Sequence, residues 1–297
     1  MRLTLGPVLY NWPADRWADF YARIADEAPV DRVVLGEVVC SKRLPFYQDR
    51  IADAVERLQR GGKDVVLASL GLVTLPRERR MLAELSGSGL PVEVNDLTML
   101  RHLEAGTPFT VGPLVNVYNE GTLGFLAGRG ATAVCLPPEL GFDSVAVLAA
   151  AGARLGAAIE VWAFGRLPLA ISGRCYHARL AGLAKDSCQF VCDADPNGLA
   201  VETLDGQPFL AVNGVQTVSD RWANLAGDLD RLGGAGVGAL RLSPHTGDMV
   251  AVAQLFREAA DRRIGPDEAI AGLAALAPER RFSNGFLFGR SGAEWTH

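Results

Sequence analysis

The chain has 297 residues, 49% of them hydrophobic and 21% charged, with 29 lysines and arginines against 34 acidic side chains and a net charge of −5. That composition excludes a disordered chain, and the lack of any basic run excludes a broad electrostatic footprint for nucleic acid. No stretch reaches the ~18–20 apolar residues of a membrane span, and the opening MRLTLGPVLYNWPADRW lacks the apolar centre and cleavage site of a signal peptide, so a cytoplasmic protein is expected.

Short runs rich in β-branched residues alternate with amphipathic segments. Strands are expected over 3–8, 32–36, 65–70, 92–95, 109–111, 133–136, 159–163 and 239–242. Helices are expected over 14–25, 50–58, 123–128, 144–151, 221–232 and 249–261. The first follows a proline, and the second places Ile51, Val55 and Leu58 on one face. Strands alternating with helices indicate βαβ units and a mainly parallel sheet. The fold expected is α/β, a TIM-barrel-like (β/α)8 with room for irregularity, spanning 1–297 as one domain; a doubly wound open sheet is the alternative. Neither G-x-G-x-x-G nor G-x-x-x-x-G-K-[ST] is present, which removes the usual nucleotide sites.

The rhythm breaks between Arg166 and about Val218. Three cysteines come first, then two short apolar runs about Asp205-Gly206, which read as a β-hairpin. This region is expected to be an insertion after strand seven, carried on the barrel. The glycine-rich, polar tail from Arg280 onward is expected to be loosely ordered.

Five cysteines in a reducing compartment point to metal binding or catalysis before disulfides. Cys175, Cys188 and Cys192 have the spacing C-x12-C-x3-C within the insertion, and Cys40 lies just past the second strand. The C-terminal strand ends of a parallel α/β fold share one face, so Cys40 and the loop after strand seven can meet there. Four thiolates suit either Zn²⁺ or an iron–sulfur cluster, and spacing leaves both open. The polar neighbours Arg174, His177, Lys185, Asp186, Gln189 and Asp193 argue against simple core packing. Cys135, inside an apolar run, is expected to be core.

Among other residues, Glu37 at a strand end can act as a proton acceptor or orient a substrate, or can pair with Lys42 or Arg43. Arg166 and Arg174 can hold a carboxylate bidentately, and Arg174 is better read as neutralising a thiolate cluster. Asn11, Asn95 and Asn116 read as turn residues, His245 as a loop residue, and Trp12, Trp17 and Trp162 as core.

At these positions the chain resembles the UbiV branch of the collagenase-like peptidase U-32 family. Gly36-Glu37-Val38-Val39-Cys40-Ser41-Lys42-Arg43 carries the resemblance, with Gly165-Arg166-Leu167-Pro168-Leu169-Ala170, Ser172-Gly173-Arg174-Cys175, Asn116-Val117-Tyr118-Asn119, Asn213-Gly214-Val215-Gln216-Thr217 and Leu240-Arg241-Leu242-Ser243-Pro244. The resemblance implies a [4Fe–4S] cluster on Cys40, Cys175, Cys188 and Cys192 and a heterodimer with a UbiU-like protein. It also implies a role as subunit of an oxygen-independent hydroxylase, acting on a ubiquinone precursor with a small-molecule oxygen donor such as prephenate. Related members hydroxylate RNA bases, a role against which the acidic balance weighs. A barrel held by zinc on the same thiolates, with a binding role, is the other alternative. With neither G-x-S-x-G nor H-E-x-x-H in the chain, a working peptidase is not expected.

Overall fold

The computed structural model describes residues 1–296. Strands β1 (Arg2–Leu5), β2 (Arg32–Leu35), β3 (Asp64–Ala68), β4 (Val92–Val94), β5 (Phe109–Val111), β6 (Ala131–Cys135) and β7 (Ala158–Ile171) pair in chain order, each parallel to the next. Three antiparallel strands follow, β8 (Leu199–Glu202), β9 (Pro208–Asn213) and β10 (Gln216–Asn224), before β11 (Ala239–Leu242) and the short β12 (Phe282–Ser283). β11 lies parallel to both β1 and β7, which closes an eight-stranded TIM-type barrel. Each of the eight expected strands is a barrel strand, and the open-sheet alternative falls because both edges are paired.

Helices α1 (Ala14–Glu27), α2 (Ile51–Arg60), α3 (Pro76–Ser86), α4 (Glu120–Gly128) and α5 (Phe142–Leu155) surround the barrel, with the one-turn α6 (Tyr176–Leu180) in the insertion. α7 (Leu229–Gly234), α8 (Met249–Ala260) and α9 (Pro266–Leu276) complete the set. α1 shows how the sequence dictates the packing. Trp17, Tyr21 and Ile24 recur at helical spacing and are buried against the strands. Asn119 and Asp248 cap α4 and α8 through backbone N–H groups of the first turn. Among the described residues, no helix is long and apolar enough to cross a membrane.

β7 is the exception to the regular pattern. Its first half lies in the barrel, between β6 and β11; its second half leaves the barrel and pairs antiparallel with β10. The turn-out occurs at Gly165, whose φ of +100° favours glycine and where a Cβ would meet that of Ser243 at 2.9 Å. β10, β9 and β8 continue the extension, and the expected Asp205-Gly206 hairpin connects β8 to β9. The insertion therefore begins as strand, not as irregular chain. Residues 221–224, expected to be helical, are the end of β10, where Trp222 and Asn224 pair with Arg166 and Phe164; α7 starts only at Leu229. The tail is also more ordered than expected. Phe282–Ser283 pairs with β10, and Leu287 is buried.

The barrel interior holds a buried ionic cluster. Arg241 of β11 meets both carboxylate oxygens of Glu93 on β4, at 3.2 and 2.5 Å, and its Nε donates to Glu160 on β7 at 2.5 Å. All three side chains are buried, so removing the cation leaves two carboxylates with no compensation. Arg241→Met is expected to lower stability by about 3–5 kcal/mol in urea unfolding. Loss of the exposed Arg60–Glu56 pair by Arg60→Met should stay within about 0.5 kcal/mol.

Candidate metal centre

After β2 the chain turns at Gly36 (φ +126°), where a Cβ would lie 3.2 Å from the Ala68 carbonyl oxygen. Glu37 then folds back on the loop it begins. Its Oε1 accepts the N–H groups of Val39 (2.8 Å) and Cys40 (2.9 Å), and its Oε2 accepts the Tyr47 hydroxyl (3.0 Å). Burial raises its pKa even though these donors and Arg43 pull the other way. Among the described residues Glu37 forms no ion pair with Lys42 or Arg43, so the pairing that was one of its two readings gives way to a backbone brace. A second carboxylate holds the same loop from outside. Ser41 donates to Glu78 Oε1 at 2.7 Å, while Glu78 Oε2 accepts the N–H groups of Thr74 and Leu75 at the start of α3.

The two basic residues that follow Cys40 reach towards the insertion. Lys42 Nζ donates to the carbonyls of Lys185 (2.8 Å) and Asp186 (3.2 Å) and lies 3.5 Å from Cys188 Sγ. Its ammonium also stands 5.6 Å from the Phe190 ring, which Phe46 meets edge-on at 4.6 Å. Arg43 is 1% exposed. It donates to the Leu9 carbonyl (2.9 Å) and Asn213 Oδ1 (3.0 Å), and Glu37, Cys192 and Cys40 lie close enough to act on its charge. Burial works against the guanidinium charge, but Glu37, Cys192 and Cys40 outweigh it and the pKa is raised. The β9–β10 turn makes room for this side chain. Gly214 has φ +62°, and a Cβ there would sit 2.7 Å from Arg43 Nη2.

The remaining thiols are set by the same turn. Cys175 immediately precedes α6, and Tyr176 N–H donates to the Gly214 carbonyl at 3.0 Å. His177 Nδ1 accepts the Gly214 N–H (2.8 Å), which places the ring proton on Nε2, 3.0 Å from Asp195 Oδ2. Cys40 and Cys175 pack against one apolar cluster that includes Val39 and Val215. Cys188 and Cys192 are buried, and between them Gln189 and Phe190 adopt left-handed backbone conformations (φ 49° and 56°). Burial, with Glu37 beside it, pushes the Cys40 thiol up.

Cys40 and Cys175 thus adjoin one apolar cluster, Cys188 lies beside Lys42 and Cys192 is near Arg43, all as free thiols. Among the described residues no three His, Cys, Asp or Glu side chains are disposed as a ready-made metal set. Sulfur donors of this kind are the soft ligands a thiolate-bound metal group takes, and one cation, Lys42, stands against a thiol. Cys135 stands apart at the end of β6, 1% exposed as expected of a core residue, with Glu160 and Arg241 as neighbours. Arg174 is exposed beside Cys175 and makes no ion pair among the described residues. Arg166 is buried and grips the carbonyls of Ser219 and Asp220 in the β10 bulge. Trp12, Trp17 and Trp162 are buried, as are Asn11 and Asn95, whereas Asn116 is exposed. Beside the Cys40 loop, Val38, Leu9, Asn95, Glu93, Trp162 and Arg241 line a small hollow of about 10 Å³, room for about one water.

The sequence pattern that defines Peptidase family U32 matches residues 17–297. The chain belongs to this family. Among solved structures it is similar to a GH10 endoxylanase retrieved from sugarcane soil metagenome, at 10% identity and a TM-score of 0.38, over 58% of this chain and 70% of that one. Within this U32 chain, sequence reasoning missed the roles of Arg43, Tyr47, Glu78 and His177. The signal for the first was present, a Lys-Arg pair two residues beyond a cysteine.

His245, read as a loop residue, gives the fold a pH dependence of its own. Burial, reinforced by Arg280, lowers its pKa from 6.5 to about 3. The unfolded chain takes up a proton that the folded chain refuses, so this contribution is intact above pH 6.5 and is lost as pH falls towards 3. Between pH 6.5 and 5 the wild type should lose about 1.7 kcal/mol more than His245→Asn, the slope rising from half to nearly all of about 1.4 kcal/mol per pH unit. Urea unfolding of both across that range measures the difference.

Proposed function

We propose that this U32 protein is an iron–sulfur subunit, with Cys40, Cys175, Cys188 and Cys192 holding a [4Fe–4S] cluster. On this reading it works with a UbiU-like partner in oxygen-independent hydroxylation during ubiquinone biosynthesis. The observation that carries the reading is Arg43. A guanidinium buried to 1% exposure has no carboxylate ion pair among the described residues; Glu37 acts on it from a distance while bound to its own loop's N–H groups, and Cys192 and Cys40 share its field. A buried unpaired charge is costly, and it is explained if an anion occupies the space beside it. Four thiolates around iron supply that anion, and Lys42 on Cys188 adds a second counter-charge.

Each residue of the loop then has a task. Glu37 positions Cys40 by fixing its backbone, Glu78 anchors Ser41, and His177 ties Cys175 to the Gly214 turn. A bound cluster would supply one-electron chemistry at the C-terminal mouth of the barrel, where the functional groups of this fold collect. Four cysteine ligands leave no open iron position, which favours electron transfer over direct substrate coordination.

Anaerobic purification followed by iron and sulfide analysis tests the reading. Wild type should be brown with about four irons and four sulfides per chain, as a four-thiolate cubane requires. Alanine at Cys40, Cys175, Cys188 or Cys192 should lose most of the iron, and Cys135→Ala should retain it at a cost of about 1 kcal/mol in stability. A colourless protein with stoichiometric zinc and no sulfide would establish the structural-zinc alternative instead. Loss of iron in Cys135→Ala alone would overturn the ligand assignment.

A further inference from the structure

Away from the thiols, the ribbon of β7 and β10 carries hydrogen-bond donors that lack acceptors. Phe164 and Arg166 on β7 lie opposite Asn224 and Trp222 on β10, so the four side chains share one face. Arg166 uses Nη1 on the Ser219 and Asp220 carbonyls, while its Nε–H, the Trp222 indole N–H and the Asn224 Nδ2 are buried with no partner. The His245 ring stands 4.2 Å from that of Trp222. Its Nδ1 accepts the Gly247 N–H at 2.9 Å, so the neutral ring carries its proton on Nε2, which is also buried and unpartnered.

Two cations complete the group. The exposed Arg280 lies 5.3 Å over the Trp222 ring, and its charge bears on Arg166, whose pKa is lowered by burial and by this repulsion. Among the described residues neither arginine forms an ion pair. Asp220 is near enough to act on Arg166 but does not pair with it. Tyr10, 5% exposed, sits in the field of both arginines and keeps its hydroxyl proton, its pKa raised to about 12 by burial. The unpartnered groups of Arg166, Trp222, Asn224 and His245 are all N–H donors, and buried donors left this way call for an acceptor.

We infer that Arg166 and Arg280, with the N–H groups of Trp222 and His245, form a binding site for the oxyanion of a small molecule, a carboxylate or a phosphate. Arg280 is its exposed member, and the site stands independently of any cluster on the thiols. It would hold the charged end of a ligand by charge-assisted hydrogen bonds, with the Trp222 face against its body.

The test is titration of the full-length ¹⁵N-labelled protein with inorganic phosphate and, separately, malonate, at constant ionic strength. The readout is the Trp222 indole N–H resonance, assigned by its loss in Trp222→Phe. A saturable shift with one anion is expected, and which anion produces it identifies the ligand class. Arg280→Gln, an exposed change that leaves the other indole signals in place, should weaken binding roughly tenfold, as loss of one charge-assisted hydrogen bond predicts. No saturable shift with either anion, meaning that water alone satisfies the donors, would overturn the inference. So would an affinity unchanged in Arg280→Gln.

Discussion

A parallel barrel closes only when its last strand finds hydrogen-bonding partners on both sides, and here β11 finds them on β1 and β7. Everything of chemical interest depends on that closure. It sends the C-terminal ends of the strands to one rim, where the Cys40 loop leaves β2, the outer half of β7 turns away at Gly165, and the His245 loop leaves β11. Segments far apart in the chain become neighbours there. Lys42 can then touch Cys188, and Arg43 can reach both Leu9 and Asn213.

Two buried arginines divide the electrostatics of the molecule. Arg241 is enclosed by carboxylates, with Glu93 and Glu160 supplying more negative charge than it neutralises. Arg43 has the opposite surroundings: carbonyl and amide oxygens, cysteines, and a carboxylate already committed to backbone N–H groups. The first arrangement is self-contained and belongs to the barrel. The second has no direct ion pair among the described residues, which is what makes the thiol region read as a site and not as packing.

The barrel was legible because its signal is local. Alternating strands and amphipathic helices need only hydrophobic periodicity, and Val33, Val65 or Val134 declares itself without knowledge of its neighbours. α3 was missed because Arg77, Glu78, Arg79 and Arg80 mask its apolar stripe; Leu82 is its one buried hydrophobe. Residues 221–224 were misread because an apolar tryptophan next to polar residues fits either period, and only pairing with Phe164 and Arg166 decides. The cysteines stood out by composition and spacing. The side chains that hold them did not. Glu37 was visible as a strand-end carboxylate, but its acceptance of its own loop's N–H groups depends on a turn geometry that residue type alone does not specify. Arg166 was noticed as a cation; the donors that surround it come from four segments and become a group only in three dimensions.

The interior ion cluster bears on how the chain is made. Arg241 is translated 148 residues after Glu93 and 81 after Glu160. A ribosome-bound chain that has produced only the first seven strands therefore holds two acidic side chains in what must become a dry lumen, with no cation to meet them. A barrel short of its last strand is electrostatically frustrated as well as open-edged, and this discourages early collapse into a closed but wrong arrangement. The late arginine acts as a completion signal: sealing the cylinder becomes favourable only when the final strand has emerged.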